Sequence, residues 1–192
     1  MMAHDNREIE IQVRVERIAP LLALMGKEGK YEGEVRQVDE YFTPAHKDYA
    51  AASPVNEWLR LRNEDGKFSI SYKNYHRGED GRALYCDEFE THIEAMDTMK
   101  RIFGALGMRP LITVEKLRRR WTYRDYEIAV DTVVGLGDFV EIEFNGATED
   151  PKRTTSEMVQ FLKGLDVGRI QRSHQGYTFS LLFPERIEYH DE

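Results

Sequence analysis

The pattern that most constrains this chain is a repeated alternation in which apolar residues fall on one face of a strand and charges of like sign fall on the other. In "NREIEIQVRV", residues 6–15, Glu8, Glu10, Gln12 and Arg14 share one face and Ile9, Ile11, Val13 and Val15 the other. The same arrangement puts Arg60 and Arg62 opposite Leu59 and Leu61, and Lys73 with Ser69 and Ser71 opposite Phe68, Ile70 and Tyr72. Glu88 and Glu90 pair in "CDEFET", and Lys116, Arg118 and Arg120 align in "EKLRRRW". Asp131 lies opposite Ile128 and Val130, and Glu141 and Glu143 lie opposite Val140, Ile142 and Phe144. A solvated strand face carries mixed polar residues more often than like charges two residues apart, because such neighbours repel without supporting the strand. The recurrence predicts that these faces share a facing partner.

The element order says how they could share one. "RIAPLLALMGKEGK" predicts a short helix, with Pro20 in its first turn and Gly29 as its stop. "GEVRQVDEYFTP" predicts a strand ending near Pro44, followed by a polar, alanine-rich loop to about Val55. "EWLRLR" and "KFSISYK", joined through Asp65-Gly66, predict a hairpin. "ALYCDEFETHI" is a further strand. Met96, Met99, Ile102, Phe103 and Leu106 recur at helical spacing up to Gly107, a stripe that suits a core or a homodimer face. "LITVEKLRRRWTY", "YEIAVDTV" and "GDFVEIEF" predict a meander, and "TTSEMVQFLKGLDV" a third helix with Thr and Ser caps. The tail "GYTFSLLFPERIEY" gives no clear signal. About eight antiparallel strands and three helices predict an α+β fold, an eight-stranded antiparallel β-barrel with a charged interior and helices packed outside. One domain over 4–183 and a C-terminal tail over 184–192 are expected.

Composition restricts the partners. The 192 residues carry 27 Lys+Arg against 35 Asp+Glu, a net charge of -8, which gives no general attraction for nucleic acid or an anionic membrane. The bases of "KLRRRW" alternate along a strand instead of forming a basic patch, so RNA binding is not expected. No apolar run approaches the roughly 20 residues a spanning helix needs. The single cysteine, Cys86, has no partner for an internal disulfide, and the expected compartment is the cytoplasm. The six histidines, His4, His46, His76, His92, His174 and His190, form no metal-ligand spacing.

A barrel interior holding so many charges is costly unless they pair or bind ions. Arg and Lys suit phosphate oxygens, and clustered carboxylates suit a hard divalent cation such as magnesium or manganese. Both sets in one cavity point to a metal-complexed polyphosphate.

The runs "EIEIQ", "LRLR", "SYK", "DEFE", "VEKLR", "VD" and "GLGDFVEIE", in this order, resemble the CYTH superfamily, the triphosphate tunnel metalloenzymes that include class IV adenylate cyclases and thiamine triphosphatases. "QVDEYF", "GLGDFVEIE" and the tail "GYTFSLLF" are closest to the cyclase-like branch, although Gly176 stands where that branch has Ser. The resemblance implies that Glu8, Glu10, Asp131, Glu141 and Glu143 bind the metal, with Glu88 or Glu90 in support. It implies that Arg60, Arg62, Lys73, Lys116 and Arg118 hold the triphosphate, and that catalysis centres on Glu8, Glu10, Lys116 and Arg118. The implied reaction converts ATP to cyclic AMP and pyrophosphate, or hydrolyses tripolyphosphate, thiamine triphosphate or a nucleoside triphosphate. One departure bears on turnover: the family's first strand reads Glu-x-Glu-x-Lys, and here Gln12 stands at the lysine position. A neutral amide lacks the charge-assisted contribution, which implies altered activity or a binder without turnover. Arg14 is the residue that could supply the charge from a shifted position.

Overall fold

The computed structural model describes residues 7–192; His4 and the first residues of the expected 4–183 domain lie outside them. The described chain forms β1 (Arg7–Glu8), β2 (Glu10–Val15), α1 (Ala19–Glu28), β3 (Lys30–Pro44), β4 (Glu57–Glu64), β5 (Lys67–Arg77) and β6 (Ala83–Ile93). It continues through α2 (Met96–Ala105), β7 (Met108–Tyr123), β8 (Tyr126–Val133), β9 (Gly137–Phe144), α3 (Pro151–Lys163), β10 (Ile170–Arg172), α4 (Gly176–Leu182) and β11 (His190–Asp191). The strands make one sheet in the order β1-β6-β5-β4-β3-β7-β8-β9-β2-β10-β11.

The two ends of this order explain its shape. β1 and β2 are one strand interrupted at Ile9. The first piece pairs with β6 through Arg7↔Asp87 and Glu8↔Cys86, and the second pairs with β9 from Glu10↔Glu143 to Val13↔Val140. Counted together, they give the eight long strands expected, with β10 and β11 as short additions. The sheet is barrel-like without a full ladder. Pairing with β6 stops at Glu8, and from Val13 onward the same flank of β2 is taken by β10.

Turn chemistry sets the registers. Asp65 and Gly66 both have positive φ, which the tight β4-β5 hairpin requires and which glycine adopts at no steric cost. Registers such as Leu61↔Ile70 then keep one face apolar. The apolar faces point outward, under the helices. Ile11, Val13, Ile128, Val130, Val140 and Ile142 pack with Leu21 and Met25 of α1 and with Met158 and Leu162 of α3. Leu59 and Leu61 meet Phe103 of α2, whose ring lies edge-on to Phe42 at 5.0 Å.

Three details differ from the sequence reading. α3 begins at Pro151, capped by the Asp150 carboxylate accepting from the Arg153 amide at 3.0 Å, because an Asp-Pro start outcompetes the later Thr and Ser. The α2 stripe divides: Phe103 is buried while Ile102 and Leu106 are 45% and 69% exposed. The tail is structured, with α4 over "GYTFSLL" and β11 pairing with β10. No helix among the described residues is long and apolar enough to cross a membrane.

Candidate functional site

The inward faces enclose a cavity of about 480 Å³. Glu8, Glu10, Gln12, Arg60, Arg62, Lys73, Glu88, Glu90, Lys116, Arg118, Glu141 and Glu143 all line it. The sheet order sorts them. β6, β1, β2 and β9 bring Glu88, Glu90, Glu8, Glu10, Glu141 and Glu143 together as an acidic wall. β4 and β7, on either side of β3, bring Arg60, Arg62, Lys116, Arg118 and Arg120 together as a basic wall.

Each wall is held by specific partners. On the basic side, Arg62 makes a two-pronged contact with Asp39 at 2.7 and 2.7 Å. Burial alone would raise the Asp39 pKa, but the Arg60 and Arg62 charges outweigh it and hold the carboxyl well below the usual range. Arg118 makes the same fork with Asp131 at 2.7 and 2.6 Å and reaches Glu141 at 2.7 Å. Asp131 is fully buried behind this wall, and it also meets Lys116 at 3.3 Å and accepts from the Tyr177 hydroxyl at 3.0 Å. Its oxygens are therefore committed to orienting bases. Lys116 is pushed down to about 8 by burial and then by the neighbouring Arg118 charge.

On the acidic side, Glu10 stands directly across from Glu143, an unfavourable like-charge pair. Burial and then the charges of Glu8 and Glu141 push Glu10 up to about 7. Burial and then Glu8 and Glu10 push Glu143 up to about 8. Lys73 reaches into this wall, 2.5 Å from Glu8 and 3.3 Å from Glu88, as does Arg60, which donates to Glu90 at 3.1 Å. Burial would lower the Lys73 pKa, but Glu8 and Glu10 outweigh it and hold the ammonium charged. The Tyr75 hydroxyl donates to Glu10 at 3.1 Å.

Two sequence-predicted residues do not line the cavity. One is Asp131, for the reason above. The other is Arg14, whose position pairs with Gln171 on β10, one step past the last β2-β9 pair. Its guanidinium lies between the rings of Phe139 and Tyr189, at 4.7 and 4.9 Å, and donates to the Leu136 carbonyl. Gln12 does face the cavity and donates to Glu141 at 3.3 Å. Sequence reasoning passed over Asp39, Tyr75, Arg172 and Tyr177. Asp39 and Tyr75 had a readable signal, since Gln37, Asp39 and Tyr41 alternate in "QVDEY" and Tyr75 continues the face of Ser69, Ser71 and Lys73, while Tyr177 lay in the tail run "GYTFSLLF" without a role.

The match to known proteins decides the family. A model of the CYTH domain fits residues 6–177. The chain belongs to the CYTH family. A protein of Methanocaldococcus jannaschii named "Putative adenylate cyclase MJ0240" is 30% identical over 164 residues, covering 84% of this chain and 91% of the relative. The PH1819 protein of Pyrococcus horikoshii has the same fold, with a TM-score of 0.73 at 21% identity over 92% of this CYTH chain and 99% of that one. So has a Hippeastrum protein described as a "Putative adenylyl cyclase" with a dominant triphosphatase activity, with a TM-score of 0.65 at 18% identity over 94% and 97%.

Divalent-metal dependence is general to CYTH triphosphate tunnel enzymes, and the donor chemistry here fits such an ion. Glu8, Glu10 and Glu143 are crowded, half-buried carboxylates whose pKa values all rise, a charge excess that a hard cation relieves. Among the described residues no three acidic, His or Cys side chains converge as a ready-made metal cage; the fit lies in the oxygen donors and their unmet charge.

This gives a signed pH prediction. Glu10 and Glu143 bind protons more tightly folded than unfolded, where the ordinary value is 4.5. Their contribution to stability is therefore fully present below about pH 4.5 and declines as pH rises through about 7 to 8. In EDTA, the thermal midpoint should fall between pH 6 and pH 8.5, and manganese should restore more of it at the higher pH. A midpoint that rises across this window in EDTA would contradict the strained acidic wall.

Proposed function

We propose that this CYTH protein is a divalent-metal-dependent enzyme acting on a triphosphate, with class IV-type adenylate cyclase activity, ATP to cyclic AMP and pyrophosphate, as the primary reading. The observation that carries it is the opposition of a carboxylate wall and a guanidinium wall across one cavity. The name borne by the relative at 30% identity supports the cyclase choice.

In this reading Arg60, Arg62, Lys116 and Arg118 hold the phosphate oxygens. Asp39 and Asp131 fix the forks of Arg62 and Arg118 before substrate arrives, so little reorganisation accompanies the reaction. Glu8, Glu10, Glu141 and Glu143 hold magnesium or manganese, with Glu88 and Glu90 in support. The bound ion supplies Lewis-acid charge neutralisation and lowers the pKa of an oxygen nucleophile. Lys116, held near neutrality in its proton affinity, and Arg118 offset charge that builds on the departing phosphates. Asp131 acts as a positioning residue for both.

Hydrolysis of the triphosphate is the second reading, favoured by the activity described for the Hippeastrum protein. A third, a binder without turnover, rests on Gln12 alone. Incubating the protein with magnesium or manganese and ATP, tripolyphosphate or thiamine triphosphate, then separating cyclic AMP, pyrophosphate and orthophosphate, distinguishes all three. Tight binding without product would sink both enzyme readings. Arg60→Ala removes a charge-assisted donor and is expected to weaken triphosphate binding by about tenfold or more. If calorimetry shows both Arg60→Ala and Glu141→Ala binding triphosphate with metal as the unaltered protein does, the cavity is not the substrate site.

A further inference from the structure

The two charged walls leave a third part of the cavity lining without a role. It is the segment between β10 and α4, where Ser173, His174, Gln175, Gly176, Tyr177 and Thr178 all border the cavity. Here the lining changes character from charged to neutral. Ser173 Oγ, both ring nitrogens of His174 and the Gln175 side-chain oxygen are buried without a hydrogen-bond partner. Buried polar atoms are nearly always paired, so unpaired ones gathered on one cavity segment point to a ligand that completes them.

The available chemistry restricts that ligand. Burial, followed by the charges of Arg172, Arg82, His190 and Arg77, pushes His174 down to about 4, so its imidazole is neutral and presents one donor and one acceptor. Gln175 adds an amide and Ser173 a hydroxyl. Tyr41, Trp58 and Tyr75 supply aromatic faces to the same cavity. Paired donors and acceptors beside aromatic rings match the edge and faces of a planar heterocycle. Arg77 and Arg172 flank the segment. Arg77 spends its guanidinium on the carbonyls of Val55, Gly81 and His174 and on the Asn56 amide oxygen, and Arg172 donates to the Glu10 carbonyl. Those contacts are to neutral oxygens, but the Glu192 carboxylate faces Arg172 and lies 3.9 Å from His174 Nε2, so positive charge beside the segment is offset and the donor and acceptor pattern selects the heterocycle.

We propose that Ser173, His174 and Gln175 form a specificity subsite that reads the donor and acceptor edge of a nitrogen heterocycle carried by the triphosphate, and that this subsite disfavours bare tripolyphosphate. The proposal rests on the triphosphate reading above and goes further by assigning the end of the substrate remote from the phosphates. The cavity volume of about 480 Å³ falls in the range of small-molecule sites, roughly 300–1,000 Å³, and leaves space beyond the phosphates.

The test is calorimetric binding of two probes, ATP and tripolyphosphate, each with magnesium and with EDTA. The unaltered protein is expected to bind ATP about tenfold more tightly than tripolyphosphate. In His174→Phe and Gln175→Leu, the ratio of ATP to tripolyphosphate affinity should fall towards one. His174→Asn, which keeps a donor and an acceptor, should retain part of the ratio. Ser173→Ala is a minimal deletion that keeps the test decisive if the larger changes fail to fold, and it should lower the ratio as well. Equal affinity for ATP and tripolyphosphate in the unaltered protein overturns the subsite and leaves the triphosphate reading standing. So do variants that weaken both probes in the same proportion, which is the signature of a structural role. Failure of the unaltered protein to bind any probe overturns both readings together.

Discussion

Asp131→Ala is expected to lower the stability of the protein by about 3–5 kcal/mol, the range for removing one partner of a buried charge network. Asp131 is completely buried and receives two hydrogen bonds from Arg118, one from the Tyr177 hydroxyl and the ammonium of Lys116 at 3.3 Å. Deleting its carboxylate leaves two buried cations facing one another with only Glu141 to offset Arg118. At roughly 2–4 °C per kcal/mol for a domain of this size, the thermal midpoint should fall by about 6–20 °C. Urea denaturation should give the same loss as a lower midpoint concentration. Asp131→Asn keeps the volume and an acceptor, so it should cost less than the alanine but still release Arg118 from its fork. Triphosphate affinity should drop in both variants, because the guanidinium would no longer be held towards the cavity. A change below about 1 kcal/mol in Asp131→Ala would show that the network is not formed.

Gln12→Lys carries the second large expectation, a gain in turnover of roughly 10- to 100-fold, the scale of a charge-assisted hydrogen bond realised as charge develops. The site shows why an ammonium fits there. Gln12 faces the cavity and makes a long, neutral contact to Glu141 at 3.3 Å, while Arg118 already holds the other oxygen of that carboxylate at 2.7 Å. A lysine would place a second cation against Glu141 and beside Glu10, on a wall whose carboxylates are crowded. Arg14 does not supply this charge, since aromatic rings and the Leu136 carbonyl hold its guanidinium away from the cavity. The measurement is kcat with magnesium or manganese on whichever triphosphate is turned over fastest. No gain would mean that Lys116 and Arg118 already cover the role; product formed only by the variant would place the natural chain among binders.

Much of the architecture was legible because the β-strand period is two. Glu8 with Glu10, Arg60 with Arg62 and Glu141 with Glu143 are separated by one apolar residue each, so a single register decision places every pair on one face. The helices were legible from the same logic at a period of 3.6, as Met158 and Leu162 of α3 illustrate. His174 was not legible. A lone histidine in "RSHQGY" has no periodic partner, and its isolation from hydrogen bonds arises from how β10 and α4 turn the chain into the cavity. Tyr177 lies in the run "GYTFSLLF", but its contact with Asp131 was hidden, because it joins positions 46 residues apart.

The sequence by itself determined that the strands are two-faced, that one face is apolar and the other bears like charges, and that the neutral Gln12 follows Glu8 and Glu10 on the charged face of the first strand. These are local properties, set by the residue and its neighbours two places away. Only the tertiary structure decided which charges confront which. The break at Ile9 lets one strand serve both β6 and β9, and thereby gathers six carboxylates against the bases of β4 and β7. It also decided that Asp131 sits behind the basic wall and that Arg14 points away. The physical reason is that charge pairing across a cavity acts over a few ångströms between residues far apart in the chain, a distance that only the folded backbone fixes.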